Sequence, residues 1–224
     1  MQHTTTHRTR HFALALLGLC WLLALSPPPA ARAQNAIRYV KENGTGDGSG
    51  WSQPTGSLQA AIDAVAAAGG GQVWVAKGTY YPGTTREAAF VMKNGVAVYG
   101  GFAGGELDVK DRDWAANPTI LSGDIDKDGI VNNGNSYNVI RYGNGIDNAL
   151  LDGFVITAGV ANGSGSTFGG GGGVYINGRS GESSPRFVNC LFKLNEGRIG
   201  GAVYINGDNG DCQPVFTNCA FVSN

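Results

Sequence analysis

Residues Gly171–Gly178 read Gly-Gly-Gly-Val-Tyr-Ile-Asn-Gly, and residues Gly200–Gly207 read Gly-Gly-Ala-Val-Tyr-Ile-Asn-Gly. The 29-residue offset between Val174 and Val203 also relates Pro185 to Pro214, Phe187 to Phe216, Asn189 to Asn218, Cys190 to Cys219, Phe192 to Phe221 and Asn195 to Asn224. A fixed spacing of this size marks a repeat architecture, in which a unit buries its apolar face only when a neighbour stacks on it. Equal residues should then lie above one another. The two asparagine pairs are expected to form amide ladders, and Cys190 and Cys219 to share a face with Phe192 and Phe221. That cysteine pair reads either as a stack of free thiols or as a disulfide between coils, with Cys212 as a third possible partner.

Upstream, short β-branched or aromatic runs recur between turn clusters: Ile37–Val40, Gln72–Ala76, Val96–Tyr99, Thr119–Leu121, Asn138–Tyr142 and Leu150–Thr157. Within the repeats the corresponding runs are Val174–Ile176, Phe187–Phe192, Val203–Ile205 and Val215–Phe221. No helical pattern follows them, which excludes alternating βαβ units. Of the two architectures left, an antiparallel sandwich and a parallel β-helix, the period selects the second, because in-register coils place equal positions ~4.8 Å apart. The one convincing helix begins at the N-cap Ser57, carries Leu58, Ala61, Ile62 and Val65 on one face, and stops at Gly69. An amphipathic helix suits the bare apolar end of a first coil. The expected fold is all-β, a right-handed parallel β-helix with an N-terminal capping helix. Its parts are a leader over 1–33, a first strand, loop and helix over 34–71, and coils over 72–224, which read as an incomplete part of a longer protein. An uncovered last coil would self-associate through its open end.

Arg8 and Arg10 precede an apolar run from Phe12 to Leu25, and Ala31-Arg32-Ala33 offers a signal-peptidase site. A signal peptide cleaved after Ala33 implies export, with no transmembrane span afterwards. It also takes His3, His7 and His11, the only histidines, and leaves 13 basic against 17 acidic side chains. With no basic patch, nucleic acid is an improbable partner. Without histidine, Ser-His-Asp, Cys-His and His-zinc chemistries are excluded from the mature chain. The 37 glycines lack the every-third-residue spacing of collagen and sit among too many aromatic and β-branched residues for disorder. No Gly-Lys-Ser/Thr follows Gly169–Gly173, so a nucleotide cofactor is not expected; glycine is expected at crowded corners, where φ is positive.

Gly200-Gly-Ala-Val203 with Phe221-Val-Ser-Asn224, echoed by Gly171–Val174 with Phe192-Lys-Leu-Asn195, resembles the GGA(I/L/V) and FxxN repeats of the polymorphic outer-membrane protein family. Asp47-Gly-Ser-Gly-Trp51, Val73-Trp-Val-Ala-Lys-Gly-Thr-Tyr80, Tyr99-Gly-Gly-Phe102, Thr119-Ile-Leu-Ser-Gly-Asp124 and Leu151-Asp-Gly-Phe154 look like bacterial right-handed β-helix proteins of the same broad group. The resemblance implies a pectin lyase-like fold at the cell surface, the outer membrane or outside the cell. It also implies work in binding, adhesion or scaffolding, with a surface glycan or host-cell ligand as partner. The same architecture hosts polysaccharide lyases and glycoside hydrolases, which is the enzymatic alternative.

Asp124-Ile-Asp-Lys-Asp-Gly129 is the sharpest local signal. Carboxylates at alternate positions followed by glycine can wrap oxygen ligands around calcium, here Asp124, Asp126 and Asp128 with the Ile130 carbonyl, and Asn132 and Asn135 further on. Asn135 stands where an EF-hand loop needs glutamate, and flanking helices are lacking, so the EF-hand reading falls and a lone calcium turn or a solvated acidic turn is left. For carbohydrate cleavage the available groups are Asp111, Asp113, Asp152, Lys127 and Arg141, of which Asp152 and Arg141 are the candidates. Their spacing shows no convergence, and no catalytic residue is assigned.

Overall fold

Val174 pairs with Val203, Tyr175 with Tyr204, Ile176 with Ile205 and Asn177 with Asn206 in a parallel ladder, so the quoted stretches do lie on one another. The same offset pairs Phe187 with Phe216 and Phe192 with Phe221. Their rings stack at 4.8 and 4.7 Å with interplanar angles of 5° and 7°. The computed structural model describes Met1 and residues 36–179 and 181–224. The apolar run of the leader and the cleavage site expected after Ala33 lie outside them.

Among the described residues, most of the regular secondary structure is strand, in parallel sheets. The first sheet holds Ala36–Val40, Gly71–Ala76, Val96–Phe102, Leu150–Asp152, Arg186–Val188 and Val215–Thr217. Gly78–Tyr80, Thr119–Ser122, Phe154–Thr157, Leu191–Lys193 and Ala220–Val222 form the second. The third is made of Phe90–Val91, Ile140–Tyr142, Val174–Asn177 and Val203–Asn206, and a short pair joins Val160–Ala161 to Glu196–Gly197. From Gly71 onward the chain visits the first, second and third sheets in unchanging rotation, and each strand pairs with the one a full round away. Alternate side chains turn inward: Val98, Leu151, Phe187, Ile156, Phe192, Ile140 and Ile176 are all buried in one core.

The helix forms where its caps and apolar face place it. It spans Leu58–Ala67, the Ser57 side chain accepts from Ala60 N, and Gly69 takes φ 90° just past the end. Leu58, Ala61, Ile62 and Val65 are buried, and the helix packs on the strands Ala36–Val40, Gly71–Ala76 and Phe90–Val91. A second, short helix, Gly165–Gly169, falls in a glycine-rich stretch that gave no such signal.

Three expected strands prove to be bent pairs. Leu150–Thr157 breaks at Gly153, Phe187–Phe192 near Asn189 and Val215–Phe221 near Asn218, each passing from the first sheet to the second through a positive φ of 83°, 51° and 51°. Corners therefore do not require glycine. Asparagine tolerates this conformation, and at the next bend even Ala158, Leu194 and Ser223 adopt it, at 61°, 54° and 52°. The glycine runs serve both purposes: Gly171 and Gly200 take φ 66° and 61°, and a Cβ on Gly173 would stand 2.6 Å from the carbonyl oxygen of Ala202 in the next round.

Candidate functional site

The FxxN motif has a definite structural task. Asn195, fully buried, donates to Ile156 O at 3.0 Å and to Asn224 Oδ1 at 2.9 Å, and accepts from Gly159 N at 3.1 Å. Asn224 repeats the reach one round on, donating to Phe192 O at 2.9 Å. Each amide thus satisfies backbone groups that the preceding corner leaves without a ladder partner.

Asp152 belongs to a second ladder. Its carboxylate pairs with Arg112 Nη2 at 2.6 Å and accepts from Asn189 Nδ2 at 2.8 Å, while Asn218 Nδ2 donates to Asn189 Oδ1 at 2.6 Å. The two charged side chains are only 10% and 11% exposed. Arg112 also donates to Gly100 O at 3.0 Å and lies 5.3 Å from the Tyr99 ring centre. Tyr99 has its pKa raised, first by burial and then by the Asp152 charge. Arg141 lies in the third sheet with partners of its own: Nε donates to Asn138 Oδ1 at 3.0 Å, Nη2 donates to Glu87 O, and the guanidinium covers Phe168 at 5.2 Å. Burial pulls its pKa below the ordinary value. Asp152 and Arg141, the enzymatic pair suggested by residue type, are therefore committed to different sheets and different partners. Asp111 and Asp113 lie in the loop between Phe102 and Thr119, where Asp113 caps Ala115 N and Ala116 N at 3.0 and 2.9 Å.

The acidic turn leaves the second sheet beyond Ser122. Asp124 accepts from Asp128 N at 3.2 Å and Gly129 N at 3.1 Å, and Asp128 accepts from Ile130 N at 2.7 Å and Asn132 Nδ2 at 2.9 Å. Lys127 and Gly129, at φ 61° and 76°, let the chain wrap. One oxygen from each of Asp124, Asp126 and Asp128 lies within 4.8 Å of the other two. Partial desolvation, then the neighbouring Asp124 and Asp128 groups, raise the Asp126 pKa. Hard oxygens that repel one another across such a span are a donor set a calcium ion would fit. Asn135 is not among them: it is fully buried, accepts from Asn132 N at 3.2 Å and donates to Ala158 O at 2.7 Å, so it braces the loop from beneath. Lys127 turns away from the carboxylates onto the Tyr81 ring, 4.8 Å from its centre. There it lines a polar cleft of about 320 Å³ with Glu42 and Asn43.

Cys190 is buried beside Phe192, Cys219 sits one round on, and both thiols are free, as is Cys212. The neighbouring Cys190 thiol draws the Cys219 pKa down, whereas burial pushes Cys190 up. The part that Arg112 plays beside Asp152 was not visible in the sequence. Arg112 meets its partner 40 positions away, and nothing local marks it.

No family profile and no curated protein sequence matches the chain. Among solved structures it is similar to a proposed glycosyl hydrolase from Parabacteroides merdae, at 15% identity and TM-score 0.33, over 82% of this chain and 98% of that one. A likeness at that score carries no argument about activity.

Proposed function

We propose that this protein is an exported, right-handed parallel β-helix with an N-terminal capping helix, of the polymorphic outer-membrane protein kind, and that it binds or scaffolds at the cell surface. The observation that carries the reading is the fate of Asp152. The best-buried carboxylate is closed by Arg112 at 2.6 Å and heads an amide ladder, so its chemistry is spent on stacking. Cleavage of a glycosidic bond needs an acid and a base on either side of it, and Arg141 lies in another sheet with other partners. Surface exposure of the molecule would bring it a glycan or host-cell ligand. The mildly acidic mature chain makes nucleic acid a poor partner. Val215, Phe221 and Val222 are half exposed, and association through that face is part of the same proposal. Calcium, where present, would be held by Asp124, Asp126 and Asp128 with the Ile130 carbonyl, and would supply charge neutralisation that fixes the turn.

The test is incubation with a panel of neutral and acidic polysaccharides, with and without calcium, followed by assay for new reducing or unsaturated ends. None is expected. Release that is lost in both Asp152→Asn and Arg141→Gln would replace the scaffold with a carbohydrate-cleaving enzyme.

A further inference from the structure

The loop between Phe102 and Thr119 is braced from several directions. Arg112 is tied to Gly100 O and Asp152, Asp113 N donates to Gly101 O at 3.0 Å, and the Asp113 carboxylate caps the turn that follows. Gly101 and Gly153, both at positive φ, lie directly beneath it. A Cβ on Gly101 would stand 2.5 Å from Trp114 Cα, and one on Gly153 would stand 2.6 Å from Arg112 Nη1. Between these anchors sits Trp114, and it is 41% exposed. A lone exposed apolar side chain needs no explanation. One held at a fixed place over a groove does.

Trp114 forms one wall of a groove of about 380 Å³, within the range of ligand sites. The floor is the outward row of the second sheet, where Val155, Leu191 and Ala220 are register partners. It therefore runs across successive rounds as a lane, with a repeat of ~4.8 Å. Asn189 and Asn218 of the corner ladder line the edge of the lane, on the rounds that follow Gly153. None of the lining residues is charged, and the nearby Arg112–Asp152 pair is closed on itself. An indole face and an aliphatic floor beside an amide edge complement a ligand with apolar C–H faces, hydroxyl rims and no charge. An extended lane selects a chain of such units over a single small molecule.

We propose that this groove binds a segment of neutral polysaccharide, with one pyranose face against Trp114 and hydroxyl groups bonded to the exposed amide of Asn218. The inference rests on the binding reading above and gives that binding a place and a ligand class.

The experiment is affinity electrophoresis through gels containing a neutral β-glucan, a neutral mannan or polygalacturonate. It compares the unaltered protein with Trp114→Ala, Trp114→Phe, Asn218→Ala and, as a control, Leu107→Ala, an exposed site outside the groove. Circular dichroism checks that each variant is folded. Retardation by at least one neutral polymer is expected, weakened tenfold or more in Trp114→Ala, clearly reduced in Asn218→Ala, and largely kept in Trp114→Phe and Leu107→Ala. Should Trp114→Ala fail to fold, Asn218→Ala and Trp114→Phe carry the test. Neutral binding that is unchanged in folded groove variants overturns the groove while leaving the binding reading in place. Retardation by polygalacturonate alone overturns the neutral ligand class. No retardation of the folded, unaltered protein by any polymer overturns the groove and the glycan part of the binding reading together.

Discussion

Replacing Asp152 by alanine separates a stacking carboxylate from a catalytic one. The substitution leaves Arg112, whose side chain is 10% exposed, without its counter-charge and removes the acceptor of Asn189 Nδ2. Breaking a buried pair by deleting one partner costs ~3–5 kcal/mol, because the remaining charge stays desolvated. The lost amide bond adds at most ~1 kcal/mol, since Asn189 is partly exposed and water can replace the carboxylate. For a chain of this size each kcal/mol moves the melting temperature by ~2–4 °C, so the midpoint should fall by roughly 6–24 °C. Removing both charges, as Arg112→Met with Asp152→Leu, should cost less than the sum of the two single changes, because neither leaves an orphan. Thermal melts followed by circular dichroism, with urea midpoints as a second measure, would read all five proteins. An Asp152→Ala midpoint within about 1 °C of the parent, or above it, would refute the reasoning. Catalytic groups are often held at a cost to stability, and that result would return Asp152 to them.

Calcium should raise the melting temperature, by ~2.7 kcal/mol of stabilisation at a hundredfold excess over Kd, and Asp126→Ala should abolish the rise; equal curves with calcium and with chelator would leave a solvated turn. The raised Asp126 pKa means that its ionised form disfavours the fold, an effect present above the folded pKa and relieved as pH falls through it. Calcium needs that ionised form, so its affinity should drop over the same descent, which titration calorimetry at stepped pH would follow. Alkylation of Cys219 by iodoacetamide should reach half its maximal rate below the ordinary thiol range of ~8.5, and Cys190→Ala should return the midpoint toward it; a parent midpoint at or above ~8.5 would remove the influence of Cys190 on Cys219. N-terminal sequencing of the exported protein should begin Gln34-Asn35-Ala36, and an intact Met1 there would sink the leader assignment.

The parallel ladder was legible because two rounds have one length and repeat their inward and corner residues, from Val174 and Val203 to Asn195 and Asn224. Earlier rounds were not, because their lengths differ: 34 residues separate Ile140 from its partner Val174, 36 separate Leu150 from Arg186, and 50 separate Phe90 from Ile140. The surplus is loop, and the loops carry both Trp114 and the acidic turn. Bends were missed where they hide inside apolar runs, although Gly153 within Leu150–Thr157 was the available sign. The carboxylates at 124, 126 and 128 could be read as one cluster because neighbours in a turn are neighbours in space. Asp152 could not, since its meaning depends on Arg112 and Asn189, each brought to it by the rotation of the chain through the sheets.

The constant register of the last rounds, with Val174 on Val203 and Phe187 on Phe216, gives the chain a natural unit of insertion. Duplicating one whole repeat would add a storey of ~4.8 Å and leave every existing pairing in place. A duplication one residue short would turn each later side chain to the opposite face of its strand. A change of length is tolerated in whole units and not in fractions of one. The length of this molecule can therefore be set in whole storeys, with no new contact to invent.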